Sequence, residues 1–206
     1  MARTHKEDKD LAAAEQVLRK HAGFARTRDF EAAGLTRRYI SELLESGMIE
    51  RIRHGLYRAF EFPVSDGLDL VQACVAVPDG IIFLGTAIEY YSLSTYVSPK
   101  ISVAVDRKAK VVLPDIPPIE LHYLSPLYHQ LGVELVSLPS GQARIYSKDK
   151  TVCDCFRFRN QIGLDVSLEA LRNYLGSPDS SIDRLVDMAR QCRVELLMRR
   201  YMEAMM

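Results

Sequence analysis

Thr36, Arg37, Arg38, Ser41 and Glu42 fall on one short stretch of chain, and Arg51, Arg53, His54 and Arg58 follow close behind. These residue types at this spacing suit contact with double-stranded DNA. Arginine can fork onto the O6 and N7 of guanine, and serine and glutamate can meet other base edges. A nearby cluster of Arg and His suits phosphate oxygens, which fix register without reading sequence. Thr27 completes the candidate set at the head of the preceding helix. No catalytic or metal-binding roles are assigned, and no cofactor is expected.

The elements that must hold these residues can be read from the stretch TRDFEAAGLTRRYISELLESGMIERIRHGLYRA, positions 27–59. The order is helix, tight turn, helix, strand, one-Gly turn, strand, which is a winged helix-turn-helix. Thr27 is expected to cap a short helix carrying Phe30, Ala32 and Ala33, and Gly34 to stop it. Leu35 is the buried pivot of the turn and Thr36 the cap of the next helix. There Ile40, Leu43, Leu44 and Gly47 recur at i, i+3, i+4, i+7 and are expected to form one buried stripe. The opposite face centres on Arg38, Ser41, Glu42 and Glu45, flanked by Arg37 and Tyr39. Glu50, Arg51, Ile52 and Arg53 alternate as a half-buried strand does. His54-Gly55 is the turn of a wing whose tip carries Arg53, His54 and Arg58 as a phosphate clamp. Leu11–His21 reads as an amphipathic helix, the natural first helix of the module.

Charge is distributed to match. The chain of 206 residues has 27 basic and 27 acidic side chains and no net charge. Residues 19–60 nonetheless hold nine Lys/Arg against five acids, a local excess of +4, whereas residues 61–206 hold 15 against 18. Phosphate binding needs a local excess, not a basic whole. With 48% apolar residues the chain can build a sizeable core. It has no long apolar span and opens on a charged segment unlike a secretory signal, so a cytoplasmic protein is expected. Phe60–Gly67, with Pro63, is the expected boundary between a winged helix-turn-helix domain, 1–62, and a second domain, 67–206.

The second half reads as α+β. Helix is expected over Leu68–Val77 and from a Thr86 cap through Leu93. Strands are expected over Ile81–Leu84, Ile101–Asp106, Ile119–Leu124, Val133–Leu138 and Ala143–Tyr146. Helices follow to the end: one capped by Ser147, then Asp165–Leu175, Ile182–Cys192 and Val194–Met205. A small sheet packed against helices is the simplest arrangement. Cys74, Cys153, Cys155 and Cys192 lack zinc or disulfide spacing and are expected to be buried thiols. Pro114-Asp115 with Glu120-Leu121-His122 lacks the lysine that a nuclease carboxylate cluster needs. Gly176-Ser177 with Asp183 lacks the paired acids of a nucleotidyltransferase. No phosphate-binding glycine loop, nucleophile elbow or metalloprotease motif is present, and an enzyme is not expected.

Two blocks carry a family resemblance. GLTRRYISELLESGMIERIRHGLYR, positions 34–58, and KDKTVCDCFRFRNQIGLDVSLEALRNYL, positions 148–175, followed by MARQCRVELLMRRYMEAM, resemble the AbiEi antitoxins of type IV toxin–antitoxin systems. The resemblance implies a winged helix that binds the protein's own operator and represses it. It also implies a C-terminal domain needed for antitoxicity. The implied partners are operator DNA with repeats and, functionally but without a stable complex, a nucleotidyltransferase-like toxin encoded next door. Thr36, Arg37, Arg38 and Ser41 would read or position on DNA, with Arg53 and His54 as the wing. Two other classes stand beside this one: a winged-helix regulator whose C-terminal domain senses a ligand or assembles an oligomer, and an enzyme with a winged accessory domain.

Overall fold

A computed structural model describes residues 5–63 and 65–205. Residues 1–4, at the head of the charged N-terminal segment, and residue 64, inside the expected 60–67 boundary, lie outside the described residues. The chain divides into two compact units. The first comprises residues 1–78, 112–117 and 137–143; the second comprises 79–111, 118–136 and 144–206.

The first unit begins with α1 (His5–Lys20), β1 (Phe24–Arg26), α2 (Thr27–Ala32) and α3 (Arg37–Glu45), followed by β2 (Ile49–Arg53), β3 (Leu56–Ala59) and α4 (Leu68–Ala76). The strands form an antiparallel sheet in the order β1-β3-β2. Phe24 pairs with Arg58 and Ile49 with Ala59, and the β2–β3 register shifts between Arg51 and Arg53. That irregularity turns the end of the hairpin. β1 is absent from the sequence reading, because three residues are too few to show a period. Its pairing makes β3 the central strand, with Leu56, Tyr57 and Ala59 buried. The core joins Val17 and Leu18 of α1, Phe30, Leu35, Ile40, Leu43, Ile49 and Tyr57. The Phe30 and Tyr57 rings meet edge to face at 6.0 Å.

Helix α4 also belongs to this unit, beyond the boundary expected at 60–67. The cause lies at its C-terminal carbonyls, which no further turn of helix satisfies. Arg26 donates to the Val75 carbonyl at 2.9 Å, and Arg53 donates to the Ala76 carbonyl at 2.9 Å. Two guanidiniums thus meet the negative end of the helix dipole. Gln72 Nε2 donates to the Ala22 carbonyl at 2.9 Å from the same helix.

The second unit is built on β4 (Ile81–Ile82), α5 (Leu84–Tyr90), β5 (Ile101–Asp106), β6 (Ile119–Leu124), α6 (Pro126–Gln130), β7 (Val133–Leu138) and β8 (Gly141–Tyr146), the tip of the last hairpin counting with the first unit. Helices α7 (Lys148–Arg157), α8 (Arg159–Ile162), α9 (Leu164–Leu175), α10 (Ile182–Cys192) and α11 (Glu195–Met205) complete it. The five strands run β6-β5-β4-β8-β7, with β4–β5 antiparallel and β4–β8 and β5–β6 parallel. The architecture is therefore α+β, with a helix-turn-helix and hairpin first and a mixed sheet with C-terminal helices after it.

Local details depart from the sequence reading in instructive ways. Thr86 does not cap α5; that position is Phe83, and the Thr86 hydroxyl instead accepts from the Ser102 amide at 2.9 Å, tying α5 to β5. α5 ends at Tyr90, short of Leu93. Ser147 does cap α7, accepting from the Lys150 amide at 3.3 Å. α7 is buried along Lys150–Phe156, and Lys150 and Asp154 are fully enclosed one turn apart. Cys153, Cys155 and Cys192 are buried free thiols, while Cys74 is only half-buried.

Candidate nucleic-acid interface

The turn that sets α3 rests on three residues. Gly34 adopts φ +83°, the left-handed conformation that ends α2 at low cost. Leu35 is buried, and its amide donates to the Phe30 carbonyl at 3.0 Å. Thr36 caps α3, accepting from the Tyr39 amide at 3.2 Å. Ile40 and Leu43 then face the core, with Leu44 half-buried and Gly47, beyond the helix end, exposed rather than part of the stripe. Ile40→Ala should therefore cost about 2–5 kcal/mol of stability, as large-to-small core changes do. A urea melt showing less than about 1 kcal/mol would mean that α3 is not anchored by this stripe.

With that face buried, Thr36, Arg37, Arg38, Ser41, Glu42 and Glu45 are all exposed. The Arg38 side chain is 90% exposed, and its Nε lies 3.1 Å from Glu42 Oε1. Arg37 is 81% exposed, with Nε 2.8 Å from Glu31 Oε1. The Glu31 hydrogen bond raises the Arg37 pKa above its ordinary value, so this guanidinium stays charged. Ser41 donates to the Arg37 carbonyl at 3.3 Å. Exposed ion pairs of this kind contribute about 0–1 kcal/mol. Exchanging Glu31 or Glu42 for a phosphate or a guanine edge is therefore inexpensive.

The hairpin presents less than its sequence promised. His54 is exposed at the turn, where Gly55 has φ +71°. Arg51 is exposed, with its guanidinium 5.8 Å above the Tyr57 ring. Arg53 and Arg58, read from sequence as phosphate contacts, are committed within the protein. Arg53 bridges two backbone carbonyls, Val112 at 2.7 Å and Ala76 at 2.9 Å. Arg58 is paired with Glu50 and largely covered. Thr27 is the first residue of α2 rather than its cap; Arg26 holds the cap position, its amide donating to Asp29 at 2.7 Å. The Thr27 amide donates to the Gly55 carbonyl at 3.1 Å, fastening the wing turn. Burial, with Arg28 and Arg53 close by, lowers the Arg26 pKa.

Arg28, outside the candidate set, is a further exposed cation. It is 79% exposed at the head of α2, with Nε 3.7 Å from Asp29. In the sequence it counts only toward the local basic excess. The exposed cations of the helix-turn-helix and hairpin are thus Arg28, Arg37, Arg38 and Arg51, with His54 beside them.

The position of Arg53 gives a direct test. Arg53→Ala should lower the stability of the first unit by about 2 kcal/mol, since charged hydrogen bonds contribute roughly 1.5–3 kcal/mol each and, of its two, one is exposed and the other only partly buried. The dependence of DNA affinity on salt should be unchanged. A flatter salt dependence with an unaltered melting temperature would restore Arg53 to the phosphate-contacting set.

The acids considered for catalysis are dispersed. Glu120 is exposed on β6, 3.6 Å from His122 Nε2, and Asp183 lies in the first turn of α10. Among the described residues, no group of three or more His, Cys, Asp or Glu could hold a metal ion. No helix among them is long and apolar enough to cross a membrane.

Residues 13–59 match the family model described as "Transcriptional regulator, AbiEi antitoxin". That span runs from α1 to the end of β3, so the resemblance carried by the first motif block holds for this module. No curated protein matches the chain. Among solved structures the chain is similar to the crystal structure of the RV2827C protein from Mycobacterium tuberculosis. The identity is 13%, over 93% of this chain and 80% of that one, with a TM-score of 0.49.

Proposed function

Taking residues 13–59 as a module of the AbiEi antitoxin type, we propose that the protein binds its own operator, represses its own operon and acts as antitoxin to a nucleotidyltransferase-like toxin encoded beside it. The observation that carries the DNA-binding part is the exposed face of α3. Arg37, Arg38, Ser41 and Glu42 stand out from a helix whose other side is fixed in the core, and both arginines are held only by exchangeable surface pairs. α3 would enter the major groove, with Arg38 meeting base edges. Arg28, Arg37, Arg51 and His54 would lie along phosphates. Arg53 and Arg58 position the hairpin instead of touching DNA.

Titration of the region upstream of its own gene at several salt concentrations tests this reading. About four phosphate contacts should give a log–log salt slope of about −3 to −4. A slope near zero, or equal affinity for random duplex, would remove the operator from the proposal. Arg38→Ala should weaken specific binding by about 1–3 kcal/mol, the value of a bidentate base contact, and leave non-specific binding nearly intact. Equal losses on both kinds of DNA would place Arg38 on phosphate and call for a different docking of α3.

A further inference from the structure

The second unit contains a concave site that operator binding by α3 does not use. Its volume is about 640 Å³, and it is lined among others by Tyr123, Tyr128, Arg157, Phe158, Arg159 and Arg193. Ser125, Asn160 and Gln161 add polar side chains, and among the described residues no Asp or Glu lines it. Three guanidiniums thus stand around one cleft that no carboxylate lines, Arg157 alone acting on the buried Asp154, which Lys150 already neutralises.

The three arginines are held differently. Arg157 lies with its guanidinium 4.5 Å above the Tyr128 ring and donates to the Cys192 carbonyl at 3.1 Å. Arg159 donates to the Phe156 carbonyl at 2.9 Å. Each uses one of its five N–H groups this way, which orients the fork and leaves the other donors available. Arg193 has no partner for its guanidinium among the described residues, and Glu195 nearby is taken by Arg190 and Arg199. Arg193 also stands at φ +60°, ψ +36°, the left-handed cap of α10. Glycine is the ordinary occupant of such a cap; here an arginine fills it.

Aromatic surface adjoins the charge. Tyr123 is 54% exposed, and Phe158 is half-buried and braced edge to face by Phe83 at 5.2 Å. Guanidiniums recognise phosphate oxygens in pairs, and ring faces stack on bases of any kind. The volume falls within the range for one small ligand, and the concave shape suits a single molecule better than the convex backbone of a duplex. We propose that this cleft binds a nucleoside di- or triphosphate, its phosphates on Arg193, Arg159 and Arg157 and its base against Tyr123 and Phe158. Asn160 and Gln161 stand within the same lining to meet polar edges of the ligand.

Full-length protein titrated with a fluorescent N-methylanthraniloyl ATP, followed by displacement with unlabelled ATP, tests the site. Expected is a single saturable site from which tripolyphosphate and adenosine each displace the probe more weakly than ATP does. Arg193→Asn removes the cation with a residue that tolerates the left-handed backbone, and should weaken binding about tenfold, the loss of one charge-assisted contact. Arg159→Gln should do the same, and both variants should keep the parent melting temperature. No binding up to about 1 mM, the weak end of specific recognition, would overturn the proposal. So would parent affinity in both variants, or displacement by a random DNA duplex as effective as that by ATP.

Discussion

Asp154→Ala should be the most damaging single substitution considered, destabilising the protein by about 3–5 kcal/mol. Asp154 and Lys150 sit one helical turn apart on α7, and both side chains are fully buried. The Lys150 ammonium lies 2.6 and 2.7 Å from the two carboxylate oxygens. It also rests against two ring faces, 3.8 Å from the centre of Tyr128 and 4.3 Å from that of Tyr146. The Tyr128 hydroxyl donates to the same carboxylate. Burial pushes the Asp154 carboxyl up, and Lys150 opposes that shift by stabilising the charged form. Removing the carboxylate leaves the buried ammonium without its counter-ion, and the Tyr128 hydroxyl loses its carboxylate acceptor.

A second variant separates the pair's net worth from the cost of breaking it. Replacing both members by apolar residues of similar size, Lys150→Met with Asp154→Leu, should come within about 1–2 kcal/mol of the parent, because neither ion then has to be desolvated. The single and double changes should thus be strongly non-additive. Urea unfolding followed by circular dichroism reads all three proteins. If Asp154→Ala costs less than about 1 kcal/mol, water reaches the pair in solution and the two ions are not enclosed.

The contrast between these residues and α3 shows what a sequence can carry. The Thr36 cap, the Gly34 stop and the Ile40–Leu43 stripe are local and periodic, so helix, turn and exposed face are all legible from residue type and spacing. Arg53 and Arg58 have the right charge in the right place, but charge does not name its partner. Their partners, the carbonyls of Ala76 and Val112 for one and Glu50 for the other, are fixed by tertiary folding. α4 is legible as a helix yet not as part of the first unit, for the same reason. Lys150 and Asp154 stand out only as letters in a family-like motif; their i,i+4 spacing is equally that of a solvated surface pair. The cleft of Arg157, Arg159 and Arg193 joins two distant stretches of sequence, and no spacing rule connects them.

The other large effect concerns what each half of the chain does alone. Residues 1–78 should retain specific DNA affinity, because they hold the core around Phe30 and Ile40 together with α4. Residues 1–62 should be less stable by about 3 kcal/mol or more. They lack the acceptors of Arg26 and Arg53 and the Gln72 bond to Ala22, each worth on the order of 1–3 kcal/mol, in a domain small enough to be marginal already. A loss of DNA binding by 1–62 would therefore reflect folding unless the fragment first shows a cooperative melt. On the antitoxin reading, neither of these N-terminal fragments should rescue cells from the neighbouring toxin, whereas the full chain should. Residues 79–206 carry the second unit and should rescue if they fold, although 112–117 and 137–143 would be separated from the rest of the compact unit that includes them. Co-expression of each piece with the toxin, scored by viability, gives an all-or-none reading. Full rescue by 1–78 would mean that repression of the operon is the whole of the protection, and antitoxicity could no longer be assigned to the second unit.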